Sequence, residues 1–211
     1  MKYSLRSLVL VVLAAVLCSG ASCGSAANPE ALAALAVLRA DDHTLSVGNP
    51  AVTVIEYSDF ECSFCIQFNQ DVFPELREKY INTGKVRWVY RHFPLIDRDT
   101  KALKAAEATE CAAAQGKFWE YFDVLAQHGA ALSVPELKSY AAGLGLDTTA
   151  FDACLDGNTK TQHVIVDLQG GLDAGLPGTP SFLINGQLQA GILSVSEFSA
   201  KLDAAIAAAG G

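Results

Sequence analysis

Val52-Thr-Val-Ile-Glu-Tyr-Ser-Asp-Phe-Glu-Cys-Ser-Phe-Cys65 governs how the rest of this 211-residue chain is read. Its first half, Val52 to Tyr57, is rich in β-branched residues and reads as a strand. Its second half opens a helix: from Phe64 the apolar residues Phe68, Val72 and Leu76 recur at i+4, with Phe73 and Tyr80 beside them, marking one buried face through Tyr80. Cys62 therefore falls at a helix start, where unpaired backbone N–H groups and the helix dipole favour a thiolate. Cys65 lies about one turn deeper and is placed to close a disulfide onto it. Alone, a C-x-x-C pair is ambiguous among a redox dithiol, half of a zinc site and a structural bridge.

Upstream of that stretch, Asn28-Pro29-Glu30 has the form of a helix start, and the Ala/Leu-rich run to Arg39 supports a short helix. A weak strand at Thr44 to Val47 and a turn at Gly48-Asn-Pro50 follow. Downstream, Pro74 kinks or restarts the motif helix, Asn82-Thr-Gly84 ends it, and Lys85 to Phe93 reads as a strand closed by Pro94. Strand, helix and strand with a short return imply a parallel pair and a right-handed crossover. From Lys101 to about Gly175 the pattern is helical, with breaks near Gln115-Gly116, His128-Gly129, Gly143 to Gly145 and Asp156-Gly157. Two short strands, Ser181 to Ile184 and Gln187 to Ala190, are joined at Asn185-Gly186, a strong hairpin signal, and an amphipathic helix spans Ser196 to Ala208.

About half of the residues are apolar, which suits one domain or one domain with an insertion. Lys2 and Arg6 precede an apolar run from Leu8 to Leu17 and then small residues, the pattern of a secretory signal cleaved after Ala21 or Ala27. Cys23 admits a lipid anchor, and an uncleaved membrane anchor is the further alternative. The chain has 15 basic and 23 acidic residues, and loss of Lys2 and Arg6 with the signal takes its formal charge to about −10. Nucleic acid is thereby excluded as a partner. The scattered basic residues, Arg87, Arg91, Lys101 and Lys104 among them, read as solvated faces.

With Cys18 and Cys23 set aside, four cysteines remain, in a disulfide-permissive compartment if the chain is exported. Short spacing makes Cys62 and Cys65 a natural pair, which leaves Cys111 with Cys154 as a structural disulfide stapling the helical block. The rival reading of those two is a pair of buried thiols. His92, His128 and His163 follow no pattern and read as surface or core residues. Trp88, Trp119 and the phenylalanines read as core, with Phe60 and Phe64 at the edge of a peptide groove.

Glu56-Tyr-Ser-Asp-Phe-Glu-Cys-Ser-Phe-Cys65, Arg91-His-Phe-Pro94 and Gly178-Thr-Pro180 together resemble the DsbA-like disulfide oxidoreductases of the thioredoxin superfamily, over roughly residues 47 to 206. The resemblance implies an α/β thioredoxin fold, a central mixed sheet flanked by helices, with an inserted helical domain. The chain then divides into a signal peptide and tether (1–27), an N-terminal helix and first strand (28–46), the first part of the fold with the CSFC motif (47–94), the insertion (95–175) and the second part with a cis-proline loop (176–211). By the same resemblance Cys62 exchanges with substrate sulfur and Cys65 resolves the mixed disulfide. Glu56 is the acid beneath the motif, exchanging the Cys65 proton, and Thr179-Pro180 is the cis loop, whose backbone pairs with an extended substrate. A solvent-facing Glu56 and a trans turn at Pro180 are the alternatives.

Ser63 and Phe64 stand where the strongest oxidants of the family carry a histidine. A helix terminus alone depresses a thiol by roughly one unit, and Asp59 and Glu61 oppose it, which predicts a Cys62 pKa of roughly 5.5 to 7 and an intermediate redox poise. The leading function is an exported thiol:disulfide oxidoreductase that introduces disulfides into unfolded secreted proteins. It needs no cofactor beyond its own disulfide and no metal, acts as a monomer in the periplasm or on the outer face of a bacterial membrane, and is reoxidised by a membrane quinone-linked oxidase. The rivals are a reductase or isomerase of the same superfamily, a dithiol metal-binding protein, and a redox-inert adaptor for extended peptides.

Overall fold

The structure is a computed structural model that describes residues 27–95 and 100–210. The signal segment, with Cys18 and Cys23, lies outside the described residues. Five strands form one mixed sheet in the order β1-β3-β2-β4-β5: β1 (His43–Leu45), β2 (Val52–Ser58), β3 (Val86–His92), β4 (Ser181–Ile184) and β5 (Gln187–Ala190). The two long strands, β2 and β3, pair in parallel from Val52 opposite Val86 to Ser58 opposite His92, and the other neighbours are antiparallel. β2 is central and carries side chains to two cores. Val52 and Val54 join Trp88, Phe182, Phe68 and Phe198 on one face, while Ile55 and Tyr57 join Val89, Leu183, Phe93 and Leu168 on the other. This alternation follows from the two-residue period of a strand.

The motif helix is broken as Pro74 requires. α2 (Ser63–Asp71) stops before Val72, α3 (Phe73–Leu76) restarts with Pro74 in its first turn, and a π-helical turn, Arg77–Ile81, completes the connection. Proline lacks the N–H that an uninterrupted helix would use there. Between β3 and β4 lie α4 (Thr100–Ala113), α5 (Phe118–His128), α6 (Val134–Gly143), α7 (Thr148–Asp156) and α8 (Thr161–Asp173). Cys111 on α4 and Cys154 on α7 are joined by a disulfide. The Asn185-Gly186 turn has positive φ at both residues, as a tight hairpin of this twist needs. The last helix, α9 (Val195–Ala208), is opened by a reciprocal pair of bonds between Ser194 and Glu197.

Two expectations fail at the N-terminal segment, for one reason. α1 runs only from Pro29 to Leu35, short of Arg39, and Arg91 is not solvated but 1% exposed. The Arg91 guanidinium forks onto Asp42 at 2.7 and 2.8 Å and donates to the carbonyls of Leu35 at 2.7 Å and Val37 at 2.9 Å. Those carbonyls are held away from helical pairing, so the chain leaves the helix and reaches β1 through turns, one of them closed by the Asp42 amide on the Arg39 carbonyl. A buried arginine needs such a fork of acceptors.

Candidate active site

β2 ends at Ser58, and four residues later Cys62 caps α2 with extended backbone angles, φ −72° and ψ 120°. Asp59 braces the intervening turn: one carboxylate oxygen accepts from the Glu61 amide at 2.8 Å and the other from the Leu95 amide at 3.0 Å. Its charge is thus engaged by backbone donors. Cys62 is half-buried and Cys65 fully buried, both as free thiols.

The two sulfurs titrate far apart. The Cys65 thiol donates to the Cys62 sulfur and, with the Thr179 side chain and the Cys65 and Phe64 amides at the helix start, pulls the Cys62 pKa down to about 5 against the opposing cost of partial burial. This lies below the range expected from the helix terminus alone, because the strongest stabilising partner of the thiolate is the second cysteine itself. Cys65 is pushed well up, by burial first and then by the neighbouring Cys62 sulfur.

Glu56 is fully buried on the same face of β2, and burial raises its pKa to about 7 although Trp88 Nε1 donates to it at 2.9 Å. Its other carboxylate oxygen has no partner. Ser58, two residues along the strand, makes no full hydrogen bond, yet its hydroxyl lowers the pKa of both Glu56 and Cys65. Ser58 is not among the residues that the motif singles out. The i, i+2 spacing of Glu56 and Ser58 on a strand leading into the motif was the available signal, since it puts both on one face.

Facing the sulfurs, the Thr179-Pro180 peptide is cis, and the Cys62 thiol donates to the Thr179 carbonyl across 3.5 Å. Thr179 and Cys62, with Ser63, Phe64, Leu95 and Gly178, line a groove of about 550 Å³. Phe64 is 60% exposed at its edge. Phe60 does not share that position: it is buried and stacks on Tyr90 with ring centroids 5.4 Å apart, because the turn held by Asp59 rotates it inward.

A thioredoxin family profile matches residues 40–204. The chain belongs to the thioredoxin family. Among solved thioredoxin-family structures, Wolbachia pipientis alpha-DsbA1 superposes with a TM-score of 0.74 at 24% identity, covering 84% of this chain and 96% of that one. The fold is therefore the DsbA-like one, with the helical block between β3 and β4. A Rickettsia felis relative, named as a candidate protein-disulfide oxidoreductase, is 30% identical over 189 residues, 85% of this chain and 66% of the relative. A Salinispora tropica protein named Na(+)/H(+) antiporter NhaA 3 is 37% identical over 168 residues, 80% of this chain. The chain spans only about a quarter of the length of that antiporter relative, 25%. No helix among the described residues is long and apolar enough to cross a membrane.

Proposed function

We propose that this chain exchanges disulfides with exported proteins and works chiefly as an oxidant. The observation that carries the reading is the pairing of a half-exposed Cys62 in an open groove with a fully buried Cys65 behind it. In the oxidised form, a substrate thiolate attacks Cys62 Sγ, the Cys62–Cys65 bond breaks, and Cys65 leaves as a thiolate. Cys65 then takes a proton, with Glu56 as the donor through Ser58. A second substrate thiolate attacks the substrate sulfur of the mixed disulfide and expels Cys62, which leaves readily because its thiolate is stable near neutral pH. The substrate gains a disulfide and the enzyme ends as the dithiol. The extended substrate lies in the groove beside Phe64 and pairs with the Thr179 backbone.

Export through the signal segment, and reoxidation by a membrane quinone-linked oxidase, complete the cycle in this reading. The low pKa of Cys62 favours the reduced enzyme and hence oxidation of substrate, over a reductase or isomerase role. Replacing Cys65 with Ala is expected to accumulate mixed disulfides through Cys62 when a reduced multi-cysteine substrate is added. The wild-type disulfide form is expected to oxidise that substrate during refolding. A protein that holds its disulfide intact in the presence of the reduced substrate would sink the proposal.

A further inference from the structure

At the β1 edge of the sheet, three imidazoles converge on one carboxylate oxygen. Glu110 on α4 has a side chain only 4% exposed, and its Oε1 lies 2.7 Å from His43 Nε2, 3.0 Å from His92 Nε2 and 3.5 Å from His163 Nε2. These rings come from β1, β3 and α8, far apart in sequence. A carboxylate has two oxygens and room for about four donors, so hydrogen bonding alone does not require three rings to crowd onto one of them.

We propose that His43, Glu110 and His163 bind a divalent transition-metal ion of the zinc type. Their donor atoms all lie within 4.8 Å of one another. A tetrahedral zinc with bonds of about 2.0–2.1 Å sets its ligand atoms about 3.3 Å apart, within the span of the separations seen here. Two imidazoles and one carboxylate suit zinc or its neighbours in the first row, and not calcium or magnesium, which take oxygen.

The rings are also held in place from behind. His43 stacks flat on Phe118, centroids 3.7 Å apart at 11°, and His163 Nδ1 faces Asp41 Oδ2 at 3.5 Å. A carboxylate behind a ligating imidazole fixes its tautomer and turns its other nitrogen toward the metal. His92 donates to Glu110 and orients it, and Asp167 is taken up by Arg39 and by the His92 amide. The side chains of His43 and His163 are 19% and 20% exposed, which leaves the ion an entrance and water a fourth position.

In the metal-free state the His43 Nε2–H donates to Glu110. On binding, that nitrogen gives its lone pair to the ion and its proton moves to Nδ1, the imidazole staying neutral. The ion joins β1 to α4 and α8, and so fastens the helical block to the sheet edge.

The test is zinc calorimetry on untagged protein with Cys62 and Cys65 oxidised to the disulfide, which removes their thiolates as competing ligands. One equivalent should bind, and His163→Gln and His43→Gln should each weaken it by at least about tenfold. At one zinc concentration the metal should also raise the thermal unfolding midpoint of the wild type by more than that of either variant. No saturable binding to the wild type below about 1 mM, or an affinity unchanged in either variant, overturns the proposal.

Discussion

Cys65 is the largest single contributor to the acidity of Cys62, beside Thr179 and the amides of the helix start, and this is the part of the site that one-dimensional spacing hides. C-x-x-C at a helix start was legible, as was the family position of Glu56, but the donation of one thiol to the other depends on side-chain geometry. Removing the donor separates the two contributions: Cys65→Ala should raise the Cys62 pKa by about one pH unit, followed through thiolate absorbance. An unchanged titration would assign the depression to the helix start and Thr179 instead. Glu56 gives a second test, in stability. Its pKa is raised from 4.5 to about 7, so between those values the folded state holds a proton that the unfolded state has lost, and stability falls as pH rises. The cost is absent below the unfolded pKa and complete above the folded one. Glu56→Gln should therefore gain about 3 kcal/mol on the wild type between about pH 4 and about pH 8, measured by urea unfolding at each pH. A constant difference across that range would mean that Glu56 titrates normally.

Elements were legible wherever local chemistry alone decides them. Pro74 breaks the motif helix, the Asn185-Gly186 turn forms the hairpin, and the glycine breaks separate α4 through α8. What could not be seen was any boundary set by a distant partner. α1 ends early because Arg91, on β3, grips Leu35 and Val37, and nothing in residues 28–42 announces that. α8 holds a similar case at Gly171. Helix propensity favours alanine over glycine by about 1 kcal/mol. Yet a Cβ there would stand 2.7 Å from the Phe93 ring and 3.2 Å from Leu176, both buried against the sheet. Crowding of that kind costs about 1–3 kcal/mol, so Gly171→Ala should destabilise the protein despite its better propensity. Chemical denaturation decides the sign, and a more stable variant would show that Phe93 has space to yield.

For the molecule as a whole, the sheet flanked by helices and the insertion between β3 and β4 could be anticipated from motif order. The convergence of His43, His92 and His163 could not, because they sit on three elements without any shared spacing. The Cys111–Cys154 disulfide spans 43 positions within the helical block. On the chain-entropy model it limits the unfolded chain by about 4 kcal/mol, so the double variant Cys111→Ala, Cys154→Ala should lose up to that amount in guanidinium unfolding while Cys62 still titrates as before. Loss of the Cys62 titration as well would tie the insertion to the site itself. The two cores on opposite faces of the sheet keep the N-terminal helix apart from the sulfurs. α1 packs with α8 on one face, through Leu32 and Leu35 and a bond from the Asn28 amide to the Ala174 carbonyl, while α2 and the aromatic cluster around Phe68 occupy the other. The sheet is thus a bulkhead, with α1 fastened on one side and the sulfur-bearing helix on the other. Substitutions in α1 can therefore be accommodated against α8 without repacking α2, so the packing of one face and the reactivity of the other can vary independently.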